Sequence, residues 1–238
     1  MLIRHKKTFG TGMFFSATFL VILLLIFSPI FGEGKNGLVF ADDLFNKLSK
    51  GSSYFIPDVQ KSITGAEGQN FASSVKTANP DLAIKMVMAA GAQVGREGDS
   101  LKITGDLGKF LSVVLRDSDS MYHNRGAEVA GRYGIGGEDE AKKALRTWWE
   151  ILNTMVKDLQ FQKKVAQAKL VDQVMKKGVE PAYNFYGIAA ESVASKALLM
   201  ISLLVFYVVY TMWWGYGIFY LFDGIGLSMK KAKVKKEV

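Results

Sequence analysis

Two long stretches of apolar residues stand out from the rest of the chain. The first, residues 13–31, reads MFFSATFLVILLLIFSPIF, and the second covers residues 197–222; neither contains a charged residue. About 20 consecutive apolar residues are needed to cross the ~30 Å hydrocarbon core of a bilayer. We therefore predict transmembrane helices at 13–31 and 197–222, with the lipid bilayer as the first partner of this chain.

A cleaved signal peptide is the alternative explanation for the first stretch. Residues 39–41, VFA, lie just before Asp42 and resemble a cleavage site. The apolar part of a signal peptide usually holds ~7 to 15 residues, and this stretch is longer. We expect an uncleaved anchor, although the sequence leaves the cleavage of residues 1–41 open.

The second stretch is unusually rich in aromatic residues, which make up half of residues 207–222. One interpretation is anchoring at the membrane surface, where Trp and Tyr are enriched. Another is packing against helices of a partner protein, because glycines allow helices to approach closely. Contact with a quinone, a haem or a pigment is a third. The candidate packing residues of this stretch are Tyr207, Tyr210, Trp213, Trp214, Gly215 and Gly217.

Between the two stretches the pattern is that of an α-rich domain with a small amount of β-structure. We interpret residues 32–68 as a connector with one short helical pattern at 42–48. Residues 69–136 predict a small α+β domain. In it a helix begins at Asn79 and ends at Gly91, and a second helical pattern covers 106–117. The apolar residues Val94, Leu101 and Ile103 alternate on either side of a Gly-Asp turn, which is typical of a β-hairpin.

A long amphipathic helix is predicted over residues 137–178. Its apolar residues are spaced mostly by three and four, and Gly178 follows two lysines at its end. If it is unbroken it is ~60 Å long at 1.5 Å per residue, which exceeds the core of a domain this small. We therefore expect part of it, including Trp148 and Trp149, to pack on another helix or another subunit. A further helix over residues 179–222 is expected to continue into the second span.

The charge distribution predicts the topology. Eight of the 30 basic residues lie at positions 1–7 and 230–238, within the predicted tails 1–12 and 223–238. This leaves 22 basic residues against 21 acidic ones between positions 8 and 229. Basic residues close to the ends of spans mark the cytoplasmic side. Both termini are therefore predicted to be cytoplasmic and the main domain extracytoplasmic. The near-neutral body gives no reason to expect nucleic-acid binding.

Composition narrows the chemistry and the compartment. The chain has no cysteine and only two histidines, which excludes disulfides, thiolate nucleophiles and multi-histidine metal centres within one chain. We expect no cofactor and no metal site. A large domain without cysteine or an N-x-[ST] sequon on the far side of the membrane favours a bacterial cytoplasmic membrane over a eukaryotic one.

The densest polar segment is residues 116–137, and it is the first place to look for a site. An EF-hand loop requires Gly at its sixth position. Counted from Asp117, the sixth position of this segment is Tyr122, so the segment does not match an EF-hand loop. Its glycine-rich end, 131–137, lacks the G-K-[ST] of a P-loop and is interpreted as a linker. Carboxylates such as Asp106 and Glu150 are expected on solvated helix faces. The candidate polar cluster consists of Asp117, Asp119, Tyr122, His123, Arg125 and Arg132.

Together these patterns predict a mainly α membrane protein, in which two transmembrane helices flank an α-rich extracytoplasmic domain. The leading functional hypothesis is a non-catalytic accessory or scaffold subunit of a multi-subunit membrane complex, such as an electron-transfer or ion-translocating one. It would contact other membrane-protein subunits through the second span and the long helix. The alternatives are a membrane-anchored ligand-binding module and an enzyme that uses the 116–137 cluster.

Overall fold

The structure is a computed structural model that describes residues 3–227, apart from the side chains of Glu138 and Asp139. Over this range the chain is mainly helical and contains one small sheet of three strands. It divides into two units, one formed by Met1–Phe45 with Ser192–Val238 and the other by Asn46–Glu191. The lysine-rich tail, which is predicted to be cytoplasmic, lies outside the described residues from residue 228 onward.

The first unit is a pair of antiparallel helices, α1 (Lys6–Phe27) and α10 (Val193–Gly224). Both are long and apolar enough to cross a membrane, by length and composition. Helix α1 begins and ends earlier than the predicted 13–31. It stops before Pro29, because the helical conformation is disfavoured for the residue that precedes a proline. The backbone N–H groups of Arg4 and His5 both donate to the carbonyl of Gly224, so that the start of α1 lies beside the end of α10.

Helix α2 (Gly37–Ser52) leads from the first unit into the second. The second unit holds eight further elements before the chain reaches its last helices: α3 (Ile56–Thr64), β1 (Asn70–Val75), α4 (Pro80–Ala89), β2 (Gln93–Glu97), β3 (Ser100–Asp106), α5 (Leu107–Tyr122), α6 (Gly126–Tyr133) and α7 (Gly137–Phe161). The predicted connector at 32–68 is wrong as a description of this region, because Val59 and Ile63 of α3 are fully buried and belong to the core.

The predicted β-hairpin is confirmed as β2 and β3, which pair antiparallel across Gly98 and Asp99. Gly98 has a positive φ of 59°, as the first central residue of a type II′ turn requires. Strand β1 was not predicted, and it pairs antiparallel with the other side of β3. The sheet order is therefore β1-β3-β2.

Helix α7 covers the free edge of β1 with a row of polar side chains, which we call the edge ladder. Every fourth residue from Glu150 of α7 to its C-cap, Gln162, bonds the strand or its extension. Ala78 N donates to Glu150 Oε2 (2.8 Å), Thr154 Oγ1 donates to Lys76 O (3.2 Å), Ser74 N donates to Asp158 Oδ2 (3.1 Å) and Gln162 Nε2 donates to Ala72 O (2.9 Å). The two carboxylates thus accept hydrogen bonds from backbone N–H groups, and the hydroxyl of Thr154 and the amide of Gln162 donate to backbone carbonyls.

The predicted long helix over 137–178 is broken. Helix α7 ends at Phe161, and Lys163 adopts a left-handed φ of 61°. Lys163 N donates to Gln160 O and Lys164 N to Leu159 O, which is the Schellman arrangement that usually has glycine at this position. The chain then turns into α8 (Val165–Val174), which packs against α7. The two helices bury each other's apolar faces within one domain.

From α8 the helix continues through a π-helical turn (Met175–Val179) into α9 (Glu180–Asn184). Pro181 has no N–H to donate to the preceding turn, and a π-turn accommodates such an interruption. Gly178 is inside this helix and does not end it. A Cβ there would lie 2.8 Å from Leu115 Cδ1, so glycine permits close packing on α5. Helix α9 stops at Asn184, and the predicted continuous helix into the second span is therefore wrong.

The core of the second unit lies between the sheet and helices α3, α5, α7 and α8. Its largest fully buried side chains include Trp148 and Phe110, whose rings meet edge to face at 5.5 Å. The predicted glycine-rich linker at 131–137 is only partly a linker, because Tyr133 is buried in this core and Gly134 caps α6 with a φ of 60°. The core thus fixes the position of the polar cluster.

Candidate functional site

The predicted polar cluster separates into a buried part and an exposed part, because Asp117 and Asp119 point to different sides of α5. Asp117 is fully buried. Its Oδ2 accepts hydrogen bonds from Tyr133 Oη and from Trp148 Nε1, the latter at 2.9 Å. Its Oδ1 lies 2.9 Å from Arg132 Nε, but the N–H is not aimed at the oxygen, so this contact is an ion pair. Burial and the nearby carboxylate raise the pKa of Tyr133 well above its ordinary value.

The buried part is structural in character. The side chain of Asp117 does not reach solvent, so a substrate cannot contact its carboxylate. Arg132 also donates to Ser120 Oγ at 3.1 Å, and Ser120 Oγ in turn donates to Glu128 at 3.0 Å. The network therefore ties α5, α6 and α7 together, since buried charges are tolerated only when they are paired.

The exposed part is centred on Asp119. Its Oδ1 accepts from Tyr54 Oη at 2.7 Å, and its Oδ2 accepts from Arg125 at 3.1 Å. His123 Nδ1 lies 3.2 Å from Oδ1 and 3.0 Å from the Asp119 carbonyl. A histidine held in this way by a carboxylate is one element of acid-base sites. Burial, followed by the bond to Asp119, raises the pKa of Tyr54 to about 12.

Lys50, which no sequence motif marks, lies beside this cluster and is only 2% exposed. Its three ammonium protons have three acceptors: Asn124 Oδ1 at 3.0 Å, Phe185 O at 3.0 Å and Ile188 O at 2.6 Å. Burial lowers the pKa of Lys50. The predicted site residue Tyr122 donates from its hydroxyl to the Lys50 carbonyl, and its ring lies 5.2 Å from Nζ.

Lys50 therefore fastens the segment that enters the second unit to the segment that leaves it. Asn124 strengthens the connection, because its Oδ1 also accepts from Gly187 N at 2.8 Å and its Nδ2 donates to Ile188 O at 3.0 Å. From the sequence alone, a lysine near a helix end is expected to be solvated. Lys50 is buried because residues far along the chain, Asn124, Phe185 and Ile188, surround its ammonium group.

The aromatic residues of α10 divide between the two faces of that helix. Four of the predicted packing residues contact α1 of the same chain, namely Tyr210, Trp213, Trp214 and Gly217. Tyr210 stacks on Phe19 with ring centroids 4.3 Å apart, and its hydroxyl donates to the Phe19 carbonyl at 3.2 Å. Trp213 Nε1 donates to Thr18 Oγ1 at 3.0 Å. A Cβ on Gly217 would lie 3.0 Å from Ser16 Oγ. These contacts satisfy polar groups that would be costly in hydrocarbon.

The remaining predicted packing residues have different surroundings. Tyr207 is 65% exposed, and within the described part of the chain nothing lies within 4 Å of a Cβ built on Gly215. Trp214 contacts α1, because its ring lies 4.6 Å from that of Phe19, but it remains partly exposed. Trp148 is fully buried, so its ring serves the core of this chain and is not free for another subunit. Trp149 is half-buried and donates to Glu180 Oε1 at 3.0 Å.

Two surface depressions flank Trp149. The first, of about 220 Å³, is lined by Arg146, Trp149, Glu180, Tyr183 and Asn184. Arg146 lies over the Trp149 ring at 4.9 Å and bonds Glu150 at 3.1 Å. The second is an open groove on the other side of Trp149, next to Thr77 and Glu150. The first is smaller than the ~300 to 1,000 Å³ that typical ligand pockets occupy.

No group of three or more His, Asp or Glu side chains able to hold a metal ion occurs among residues 3–227. Comparison of the chain with protein-family models, curated proteins and solved structures gives no match. The chemistry of the site must therefore be judged from the geometry of these side chains alone.

Proposed function

We propose that this chain is an accessory or scaffold subunit of a multi-subunit membrane complex, held in a bacterial cytoplasmic membrane by α1 and α10. Its second unit would lie on the extracytoplasmic side. The complex would carry out electron transfer or ion translocation, and this chain would contribute contacts rather than a redox centre.

The observation that supports the proposal most strongly is the unequal use of two glycines in α10. Gly217 lies against Ser16 of α1, whereas Gly215 has open space around it. Residues two apart in a helix are ~200° apart around its axis, so the two glycines lie on opposite faces. Glycine in a membrane helix allows another backbone to approach. One glycine serves the pairing with α1, and the other remains for a second helix.

The surroundings of Gly215 suit a helix from another protein better than lipid alone. Thr211, one turn before Gly215, bonds the carbonyls of Tyr207 and Val208 and so presents a small surface with its hydroxyl satisfied. Small residues four apart are typical of close helix contacts in membranes. Tyr207 and Tyr216, both exposed, supply rings next to the small surface formed by Thr211 and Gly215.

The experiment is native gel electrophoresis of membranes solubilised in a mild detergent, followed by identification of the proteins that migrate with this chain. We expect migration with polytopic subunits at a fixed stoichiometry. Gly215→Leu fills the proposed contact and should abolish that migration. Gly10→Leu is the matched control, because Gly10 of α1 also has nothing within 4 Å among the described residues.

Two results would count against the proposal. Migration of the wild-type chain alone, or only with further copies of itself, would leave it without partner subunits. Equal migration of the Gly215→Leu and wild-type complexes would remove α10 as the contact. Loss of an enzymatic activity in Asp119→Ala or His123→Ala variants that still assemble normally would favour an enzyme.

A further inference from the structure

The two edges of the three-stranded sheet differ in how their backbone groups are used. The edge of β1 is covered by the edge ladder from α7. At β2, no hydrogen bond from another part of residues 3–227 reaches the outward backbone groups of the strand. An uncovered strand edge is a template for pairing with another strand. The sheet can therefore grow on the β2 side only.

The hairpin geometry identifies which groups are free. In a hairpin with a two-residue turn, the residues that flank the turn form a hydrogen-bonded pair, here Glu97 with Ser100. Alternate residues of β2 then direct their backbone groups to β3, and Val94 and Arg96 direct theirs outward. The edge ladder agrees with this alternation, since it uses every second residue of β1 and its extension, 72, 74, 76 and 78.

We propose that β2 pairs antiparallel with β2 of a second copy of this chain, about a two-fold axis at Gly95, to form a continuous six-stranded sheet. In this register Val94 of one copy lies opposite Arg96 of the other. Both carry outward backbone groups, so each of the two pairs forms two hydrogen bonds. A two-fold axis also matches the commonest symmetry of homo-oligomers.

The side chains are compatible with this pairing. Gly95 meets Gly95 at the axis, and nothing among the described residues lies within 4 Å of a Cβ placed there. No like charges lie directly opposite, because Glu97 faces Gln93 and Arg96 faces Val94. The two charges of the strand are already paired within their own chain, Arg96 with Asp81 and Glu97 with Lys102. They therefore oppose the approach of a second copy less than free charges would.

The absence of cysteine from the sequence makes disulfide crosslinking of the full-length protein a direct test. At the axis, Gly95 and its counterpart form a non-hydrogen-bonded pair, whose Cα atoms are ~4.5 Å apart. A disulfide accepts Cα separations of ~4.4 to 6.8 Å. Under mild oxidation in proteoliposomes, Gly95→Cys should form a covalent dimer on a non-reducing gel.

The matched control is Gly131→Cys on α6, since Gly131 is exposed and has the same open space. We expect the Gly95→Cys dimer to form on the order of tenfold faster, because pairing raises the local concentration of the two thiols. Mixing Gln93→Cys with Glu97→Cys chains should give the mixed dimer in preference to either homodimer, which tests the register. Equal rates for positions 95 and 131 would overturn the proposal.

A second variant separates strand pairing from a chance encounter. Val94→Pro removes an outward N–H but no hydrogen bond of the chain's own sheet, and proline is tolerated at such edge positions. In the Gly95→Cys background it should reduce crosslinking to the rate of Gly131→Cys while the thermal unfolding of the chain is retained. Unchanged crosslinking would overturn the pairing. Gly215→Leu should leave crosslinking unaffected, because this contact is independent of the role proposed for α10.

Discussion

Asp117 and Asp119 show how two identical residues two positions apart acquire different roles. They lie on opposite sides of α5, so one enters the core and the other reaches the surface. Asp117 is surrounded by Arg132, Tyr133 and Trp148. Asp119 is in contact with Tyr54, His123 and Arg125, and its side chain remains partly exposed. Only the second arrangement is accessible to another molecule.

We predict that Asp117→Ala lowers the free energy of unfolding by about 3 to 5 kcal/mol, because it leaves the partly buried Arg132 and two buried donors, Tyr133 and Trp148, without their partner. Asp119→Ala should cost about 1 kcal/mol or less, since exposed ion pairs contribute little. Chemical unfolding of the detergent-solubilised protein, followed by tryptophan fluorescence, measures both. Equal losses for the two variants would contradict the division of the cluster.

Tyr54 makes the stability depend on pH in the alkaline range. Its pKa is about 12 in the folded protein and ~10 in the unfolded chain, so the folded state retains the proton longer. The stability contributed by Tyr54 is therefore complete below pH ~10 and is lost as the pH rises toward ~12. Tyr54→Phe should show a smaller loss of melting temperature between pH ~9.5 and ~11.5. Parallel curves for the two proteins would refute the assignment.

At the scale of elements, the apolar pattern predicts helices better than it predicts their ends. The expected end of α4 at Gly91 is confirmed, and Gly91 has a left-handed φ of 74°. The same hydrogen-bond arrangement ends α5 at Asn124 and α7 before Lys163. Lysine rarely adopts this conformation, so no residue type in the sequence marks Lys163 as the end of a helix. Packing of α8 on α7 decides the break, and that packing depends on residues far apart in the chain.

The polar face of α7 is a second feature that sequence alone does not reveal. Asp158 and Glu150 have the spacing of solvated residues, yet both bond the edge of β1. Burial would raise the pKa of Glu150, but hydrogen bonds from Ala78, Thr77 and Arg146 outweigh it and hold that pKa below its ordinary value. The carboxylate acts here as a substitute for the carbonyls of a neighbouring strand.

The edge ladder predicts residue-specific hydrogen exchange. Asp158→Ala should accelerate exchange of the Ser74 amide about tenfold or more, because the lost bond is worth ~1.5 kcal/mol or more. The Ala78 amide, which donates to Glu150, should be unaffected. Glu150→Ala should produce the reverse pattern, so each variant is the control for the other. Mass spectrometry of exchanged peptides measures both, and loss of protection at both amides in either variant would argue against separate bonds.

At the scale of the whole molecule, the aromatic residues of α10 are explained in part by the pairing of this helix with α1. The sequence indicates two apolar helices, and both are found. It does not indicate that Tyr210, Trp213 and Gly217 face α1, because the pairing of two helices depends on three-dimensional contacts. The faces left over, with Gly215 and Tyr207, are the ones on which the proposed partner contacts rely.

The antiparallel pairing of α1 and α10 leads to a prediction about sidedness. If both helices cross the membrane, the two chain ends lie on one side and residues 28–192 on the other. In the cysteine-free chain, Lys6→Cys and Leu227→Cys should react with an impermeant maleimide from the cytoplasmic side. Lys163→Cys, in the exposed turn between α7 and α8, should react from the opposite side. Spheroplasts and inverted vesicles distinguish the two sides. Reaction of all three positions from one side would mean that the helical pair does not cross the bilayer, and the proposed position of the second unit would fail with it.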